Sequence, residues 1–125
     1  MNTFKQFLEN NNQEFIVTTH INPEYNTPQF IFKTPEGKEI GELQLKRSLL
    51  RGKDDFVVAN LIVWTEFQRQ GYATKFYKYA ANWIKKNHPK SNFFISQTRS
   101  KDALKLHDFF LSKGWIKEDG KISFD

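Results

Sequence analysis

The stretch that most constrains this fold is an apolar run that passes through a short polar turn and a glycine into a helix. Val57–Trp64 is mostly apolar, which predicts a β-strand covered on both faces. Thr65–Gln70 forms the polar turn, Gly71 follows it, and residues 72–87 repeat apolar side chains at helical spacing. The first turn of a helix has backbone N–H groups without intrahelical partners and a partial positive charge. The stretch therefore predicts a binding site for a phosphate-bearing ligand at the start of the helix.

Segments on either side of this stretch predict one α+β domain. Before it, strands are expected at Glu14–Ile21, Gln29–Lys33 and Glu39–Lys46, with turns at residues 22–28, 34–38 and 51–55 and helical turns at residues 3–9. After it, a strand is expected at Asn92–Gln97, a helix at residues 101–113 and a hairpin around residues 119–120. The strand–helix–strand unit at residues 57–97 should be parallel and right-handed.

Local signals refine these boundaries. The alternation of Glu39–Lys46 slips between Ile40 and Leu43, so Gly41 marks a candidate β-bulge. Ser100 or Thr98 can cap the second helix, and Gly114 suits the position just after its end.

Composition limits the class of protein. At 125 residues the chain fits one domain, and the lack of cysteine excludes disulfides, thiolate nucleophiles and cysteine-ligated zinc. The first residues lack an apolar signal core and no apolar run could cross a bilayer, so a cytoplasmic protein without a membrane partner is expected. The net charge of +5 admits nucleic acid, an acidic protein or an anionic cofactor, but the dispersed lysines are typical of a solvated surface.

Other chemistries find little support in the sequence. His20, His88 and His107 do not have metal-ligand spacing, so no metal is expected. Neither the Gly-x-Ser-x-Gly nucleophile motif nor the phosphate-binding P-loop motif is present. The lysines and aromatic residues of the helix at 72–87 fit the outside of an amphipathic helix better than a nucleic-acid interface. Nucleic acid is therefore not expected as a partner.

Four short motifs lie along the chain between Glu36 and Trp115. Gln68–Ala73 reads Gln-Arg-Gln-Gly-Tyr-Ala, and Val63–Phe67 before it reads Val-Trp-Thr-Glu-Phe. Glu36–Gly41 reads Glu-Gly-Lys-Glu-Ile-Gly, and Ala103–Trp115 ends in Phe-Phe-Leu-Ser-Lys-Gly-Trp. Gln68–Ala73 resembles the Q/R-x-x-G-x-G/A signature of the GNAT N-acetyltransferase superfamily, and Val63–Phe67 resembles its strand-end V-x-P-E motif, with Thr65 for proline. Glu36–Gly41 resembles the D-G-x-x-V-G hairpin of the same superfamily, and Ala103–Trp115 resembles its A-x-x-F-Y-x-x-x-G-F helix. The resemblance covers residues 28–116 and implies a mixed, mostly antiparallel sheet with a splayed central strand pair, two main helices and a shortened N-terminal region.

The resemblance also implies a function. A protein of this kind moves an acetyl group from acetyl-CoA to a primary amine by direct attack, without a covalent enzyme intermediate. The pyrophosphate would contact the turn and the first helical turn, and the pantetheine arm would add to the strand edge. The residues implied are Gln68, Arg69, Gln70, Gly71, Tyr72, Ala73 and Thr74 for the pyrophosphate and Leu61, Ile62 and Val63 for the arm. A strand N–H near the thioester could stabilise the developing oxyanion.

Two departures from the superfamily pattern bear on the chemistry. Phe110 stands where a tyrosine, four residues before Gly114, often protonates the leaving thiolate. General acid catalysis is worth about 10²–10⁴-fold, although a thiol with a pKa of about 8.5 can leave without an acid. The link at Asn22–Thr27 is too short for the two helices that usually cover the acceptor site. An open acceptor side favours a lysine or N-terminus of a protein over a small amine. A monomer or a homodimer is expected.

The catalytic base is left between two candidates. Asp55 lies near the position at which related enzymes place a carboxylate, although a turn aspartate is the simpler interpretation. His107 lies on the inner stripe of the last helix, facing the expected cleft, although a half-buried structural histidine is simpler. Glu42 and Glu66 fit surface charges. The alternative function is a GNAT-fold binding module, with or without CoA, that acts through protein or nucleic-acid contacts.

Overall fold

Five strands form one mixed sheet and lie side by side in the order in which they occur in the chain. The structure is a computed structural model that describes residues 15–48, 52–96 and 100–124. The elements are β1 (Ile16–Asn22), β2 (Thr27–Lys33), β3 (Glu39–Ser48), β4 (Gly52–Val63), a 3-10 helix (Thr65–Phe67), α1 (Tyr72–Asn87), β5 (Phe93–Phe94) and α2 (Lys101–Ser112). Strands β1 to β4 pair antiparallel, whereas β4 and β5 pair in parallel. The expected α+β class and element order are confirmed; the helical turns expected at residues 3–9 lie outside the described residues.

The core lies between the sheet and helix α1 and is built from aromatic rings. Phe32 stacks on Phe76 with ring centroids 3.8 Å apart, and Phe30 meets Tyr79 edge-on at 5.2 Å. All four side chains are buried, and burying a large apolar side chain contributes about 1.5–3 kcal/mol. The apolar stripe of α1 therefore faces the sheet, as its helical spacing predicts. We call this side of the sheet the helix face.

The opposite side of the sheet, which we call the open face, carries mostly polar side chains. Strand pairing aligns Thr18, Ile31, Glu42 and Ile62 in one row and His20, Gln29, Gln44 and Asn60 in the next. All eight side chains are exposed or half-buried. The expectation that Val57–Trp64 is covered on both faces is therefore wrong beyond Val57.

Among the described residues, no helix lies between β1 and β2, because the link between these strands is short. The Asn22 side-chain oxygen accepts hydrogen bonds from the backbone N–H groups of Glu24 and Tyr25, at 2.9 and 3.3 Å. Asn26 then takes a positive φ of 54° and leads directly into β2. This is an Asx-type turn, and it leaves no room for a helix in the link.

The largest differences from the expected strand boundaries are at β4 and β5. Strand β4 begins at Gly52, so the turn expected at residues 51–55 is wrong from Gly52 onward. Arg47 on β3 donates to the Asp54 carbonyl at 3.3 Å and lies 4.1 Å over the Phe56 ring, which extends the pairing. Strand β5 is shorter than expected, because the Ile95 N–H donates to the Gly120 carbonyl rather than continuing along β4.

Other local predictions are confirmed. Between β2 and β3, Ile40 is the extra residue of a bulge directly beside Gly41. The Ser100 hydroxyl accepts from the Ala103 N–H at 3.2 Å at the start of α2, and Gly114 has a φ of 75° after its end. The chain then returns in a hairpin in which residues 116 and 122 pair. Within the described ranges, no helix has the length and apolar character needed to span a bilayer.

Candidate functional site

Strands β4 and β5 pair at one end and then diverge. Their pairing is confined to Phe56 with Phe93 and Val57 with Phe94. Residues 58–63 of β4 continue for about 20 Å beyond this point at the usual rise of a strand. We call the side of residues 58–63 that faces away from β3 the β4 edge. An extended ligand can add to such an edge through backbone hydrogen bonds.

Two hydrogen bonds fix the direction of the backbone along the β4 edge. The Trp64 N–H donates to a β3 carbonyl at 2.9 Å, and the Gln68 side-chain amide donates to the Val63 carbonyl at 2.8 Å. Because the peptide groups of a strand alternate in direction, Leu61 and Val63 direct their backbone groups to the β4 edge, whereas Ile62 pairs with β3. Gln68 occupies the Val63 carbonyl, so within residues 61–63 the backbone groups left open along the β4 edge are the Val63 N–H and both groups of Leu61.

A second bulge bends β4 at the point where it leaves β5. Asn60 pairs with Gln44 and Val58 pairs with Leu45, so Ala59 is an extra residue on β4. Bulges disrupt the local ladder and re-aim backbone and side chains. The bulge therefore lies at the inner end of the β4 edge, directly beside Asn60 on the open face.

Helix α1 begins with a group of backbone N–H groups, which we call the cradle. Arg69 and Gly71 have positive φ values of 63° and 82°, and no side chain caps the helix. The N–H groups of Tyr72, Ala73 and Thr74 thus have no acceptor within the helix. A β-carbon on Gly71 would meet no atom within 4 Å, so the space at the helix start is open. Consecutive N–H groups at a helix start are a recurrent phosphate site.

Side chains of the turn stabilise this cradle from within the protein. The Gln70 side-chain amide donates to the Glu66 carbonyl at 3.0 Å, as Gln68 does to the Val63 carbonyl. The Tyr72 ring packs edge-on against Phe67 with centroids 5.9 Å apart. These three residues, for which a cofactor contact is predicted, therefore use their side chains to hold the turn, and their backbone N–H groups are not part of these contacts.

Charged groups near the cradle are mostly basic. Arg69 is exposed in the turn, and Lys75 lies on the first turns of α1. Burial, and then the positive charge of Lys78, lowers the pKa of Lys75. Glu66 is paired with Lys38 at 2.6 Å, which offsets its negative charge. The local field therefore suits an anion.

Asp55 lies in β4 at the end where β4 pairs with β5, which we call the closed end of this strand pair. Its carboxylate accepts from the Asn92 N–H at 2.8 Å, and the Phe56 N–H donates to the Asn92 carbonyl at 2.9 Å. Asp55 thus fastens the start of β5 to β4. It is six residues from Leu61, which is roughly 20 Å along a strand. The structure does not bring this predicted base to the β4 edge, and its catalytic role stays a prediction.

His107 is buried on the inner side of α2. Its side chain is 3% exposed, and its Nε2 lies 3.5 Å from the Tyr77 hydroxyl on α1. Burial raises the pKa of Tyr77 to about 12, so that phenol stays neutral at physiological pH. The expected inner position is confirmed, but the side chain is enclosed rather than open to a cleft. Its role as a base stays a prediction.

Phe110 is enclosed in the same cluster. Its side chain is fully buried, with ring centroids 5.1 Å from Tyr77, 5.7 Å from Trp115 and 5.5 Å from Phe124. This residue is part of the α2 core. Phe110 stands where the GNAT pattern often has a tyrosine, and its phenyl ring supplies no proton donor.

One carboxylate near the β4 edge belongs to a residue for which the sequence pattern predicts a surface position. Glu42 on β3 pairs with Ile62, and its Oε1 lies 3.4 Å from the Asn60 side-chain amide. The alternation of Glu42, Gln44 and Lys46 indicates one strand face, but not which part of β4 lies opposite. Register across the sheet is the information that the sequence did not contain.

No group of three or more His, Cys, Asp or Glu residues capable of holding a metal ion occurs within residues 15–48, 52–96 and 100–124. No family model and no curated protein sequence matches the chain.

Solved structures do resemble the chain. An IAA acetyltransferase from Bacillus cereus is similar over 80% of this chain and 75% of its own, with a TM-score of 0.59 at 13% identity. A GNAT-family acetyltransferase from Staphylococcus aureus is similar over 74% of this chain and 56% of its own, with a TM-score of 0.52 at 11% identity. AtaT, in complex with acetyl-methionyl-tRNAfMet, is similar over 79% of this chain and 66% of its own, with a TM-score of 0.51 at 19% identity. The diverging strands, the bulged β4 and the glycine-led helix start thus belong to a chain that has the GNAT acetyltransferase fold.

Proposed function

We propose that this protein transfers an acetyl group from acetyl-CoA to a primary amine on a large acceptor, a lysine or N-terminus of a polypeptide. The observation that carries the proposal is the β4 edge, which leads through one turn into the uncapped start of α1. The acetyltransferase neighbours support the assignment through their shared fold.

The donors of this unit fit the cofactor. The N–H groups at the start of α1, with Arg69, would bind its diphosphate. The Leu61 backbone and the Val63 N–H would bind its amide-bearing arm in the manner of an added strand. The bound cofactor supplies an acetyl group activated as a thioester. The fit depends on backbone donors, which explains why the side chains of Gln68 and Gln70 are free to hold the turn.

The β4 edge would also provide the polar group nearest the reacting carbonyl. A backbone N–H directed at the edge, such as that of Leu61, can donate to an oxygen on which negative charge develops. The acceptor amine would approach from the open face, because α1 and its aromatic core close the helix face. The short link after Asn22 places no helix over that approach among the described residues, which favours a polypeptide acceptor.

Proton donation to the departing thiolate is the weakest part of the machinery. Phe110 has no hydroxyl, and burial keeps the neighbouring Tyr77 protonated with a pKa of about 12. A thiol with an ordinary pKa of about 8.5 can leave as thiolate, so slow turnover is expected rather than none.

The enclosed Phe110 also favours a second candidate function. In it the protein is a GNAT-fold binding module that retains the CoA site and acts through protein contacts.

Titration calorimetry with acetyl-CoA tests the cofactor site. Gly71→Glu should weaken binding by at least about tenfold, which is about 1.4 kcal/mol, because it adds bulk and negative charge at the cradle. Gly114→Glu is the matched control: Gly114 also has a positive φ, 75°, and open space around it, but lies after α2. Both variants carry similar backbone strain, so only Gly71→Glu should lose the ligand. Wild-type protein that binds no acetyl-CoA at high micromolar concentration would rule out both candidates.

Turnover separates the two candidates. Thiol release is followed with acetyl-CoA and three probes: a peptide pool with free N-termini and one lysine, methionyl-tRNA, and spermidine. Acetylated peptide, identified by mass spectrometry, supports the transferase with a polypeptide acceptor. Preference for methionyl-tRNA or spermidine would replace that acceptor class. Cofactor binding without acetylation of any probe would support the binding module.

A further inference from the structure

Glu42 lies on the open face, next to the β4 edge. It sits directly opposite Ile62 in the β3–β4 ladder, and its Oε1 accepts a hydrogen bond of 3.4 Å from the Asn60 side-chain amide on β4. Since neighbouring strands are about 4.8 Å apart, the carboxylate lies within about one strand spacing of the β4 edge. We propose that Glu42 binds the ammonium group of the acceptor and takes its proton, an assignment that rests on the proposed acetyl transfer.

The surroundings of Glu42 orient the carboxylate without neutralising it. Among the described residues, its hydrogen bonds come from two side-chain amides and are long, 3.4 Å from Asn60 and 3.5 Å from Gln29. A carboxylate has about four lone-pair sites, so it can accept a further donor. In the described ranges its side chain forms no ion pair.

Other charged groups face Glu42 from farther away. Lys33 on β2 lies diagonally across from it, next to Glu39, and Lys46 lies two positions beyond Gln44 on its own strand. Strand β4 contributes only Asn60 and Ile62 beside it, and β1 contributes His20, two strands away. The charges of the two lysines and two glutamates cancel. The face therefore suits a polypeptide with one ammonium group better than a polyphosphate backbone.

The other titratable candidates are less well placed. Asp55 holds the Asn92 N–H at the closed end of the strand pair, and His107 is buried against Tyr77. His20 is on β1, three strand spacings or about 14 Å from β4. Glu66 is paired with Lys38 beside the cradle. Glu42 is thus the described carboxylate that combines the open face with the β4 edge.

The proton inventory of the reaction is balanced with Glu42 as base. The acceptor ammonium gives one proton to a Glu42 carboxylate oxygen, which frees the lone pair of its nitrogen. That nitrogen forms a bond to the acetyl carbon, and the carbon–sulfur bond breaks with its electron pair on sulfur. The second proton of the nitrogen goes to the departing thiolate, and Glu42 returns its proton to water. The products are an amide, a thiol and one released proton.

Kinetics with the peptide pool test this role. At pH 7, Glu42→Gln should lower kcat/KM by about 10²-fold or more, and Glu42→Asp should lose less. The deficit of Glu42→Gln should shrink as the pH approaches the acceptor's own pKa, about 8 for an N-terminus or 10.4 for lysine, because the amine is then already unprotonated. A merely structural role would give the same deficit at every pH. Glu39→Gln is the matched control, since Glu39 is on the same strand but accepts from the Trp64 indole.

Nuclear magnetic resonance gives a readout that does not need turnover. The side-chain amide signals of Asn60 and Gln29 should shift when the peptide pool is added, and not with the same pool after acetylation. The shifts should be lost in Glu42→Gln. Absent shifts in wild type, or wild-type kcat/KM in Glu42→Gln at pH 7, would overturn the assignment. Failure of the proposed function itself is seen separately, as no acetyl-CoA binding by calorimetry.

Discussion

A β-carbon on Gly41 would lie 2.1 Å from the carbonyl oxygen of Ile62 and 3.0 Å from the ring of Phe76. Only glycine permits β3 and β4 to approach this closely beneath helix α1. The contact lies beside the bulge at Ile40 and one residue before Val63, which borders the β4 edge. Gly41 therefore helps to set the path of the strand on which the proposed cofactor site depends.

Gly41→Ala is expected to destabilise the protein by about 1–3 kcal/mol, because β4 or α1 must move to admit the methyl group. The free energy of unfolding is measured in urea. Gln44→Ala, on the same strand but exposed, should change it by less than about 0.5 kcal/mol. Equal stability of Gly41→Ala and wild type would contradict the close approach.

The parts of the fold with a strong local period could be predicted from the sequence. Helix α1 runs over Tyr72–Asn87, the range that the helical spacing of apolar residues predicts. The hydroxyl cap at Ser100 and the glycine after α2 are short-range signals of the same kind. The start of β4 could not be predicted, because Gly52–Asp55 has turn composition. Its strand conformation comes from pairing with β3, which Arg47 reinforces.

One part of the candidate site could likewise be predicted from the sequence, and another part could not. The cradle at Gly71 depends on consecutive residues, so the sequence was enough to predict it. The place of Glu42 depends on the register of β3 against β4, which shifts at Gln44/Leu45 and again at Arg47/Ser48. The enclosure of His107 depends on Tyr77, thirty residues earlier, and helical spacing gives only the side of α2 that faces inward. Long-range contacts therefore decide which of the titratable residues can reach the β4 edge.

Gln68→Ala should loosen the turn between β4 and α1. It removes the 2.8 Å hydrogen bond to the Val63 carbonyl, a contact worth about 0.5–1.5 kcal/mol. The same turn holds the cradle. The affinity for acetyl-CoA, measured by calorimetry, should therefore fall as well as the stability. Gln44→Ala serves again as control. Unchanged affinity in Gln68→Ala would show that the turn is held by its other contacts.

Tyr77 predicts a loss of stability in alkaline solution. Burial raises its pKa to about 12, whereas a tyrosine in an unfolded chain ionises at about 10. A raised pKa in the folded state gives stability that is complete below pH 10 and is lost as the pH rises to about 12. The loss should reach roughly 2–3 kcal/mol, with a further contribution from Tyr79, whose pKa burial also raises. Urea unfolding of wild type and Tyr77→Phe across this range should give a shallower decline for the variant; parallel declines would contradict the assignment.

Phe110→Tyr should not restore the missing proton donor. The Phe110 ring is fully buried among Tyr77, Trp115 and Phe124, so a hydroxyl there would be enclosed by aromatic rings. Burying a hydroxyl without a good partner costs about 1–3 kcal/mol, which should lower the melting temperature while kcat stays unchanged. Phe109→Tyr is the matched control, because Phe109 is 44% exposed and its new hydroxyl would reach water. A rise in kcat of Phe110→Tyr without loss of stability would instead place this residue at the leaving thiolate.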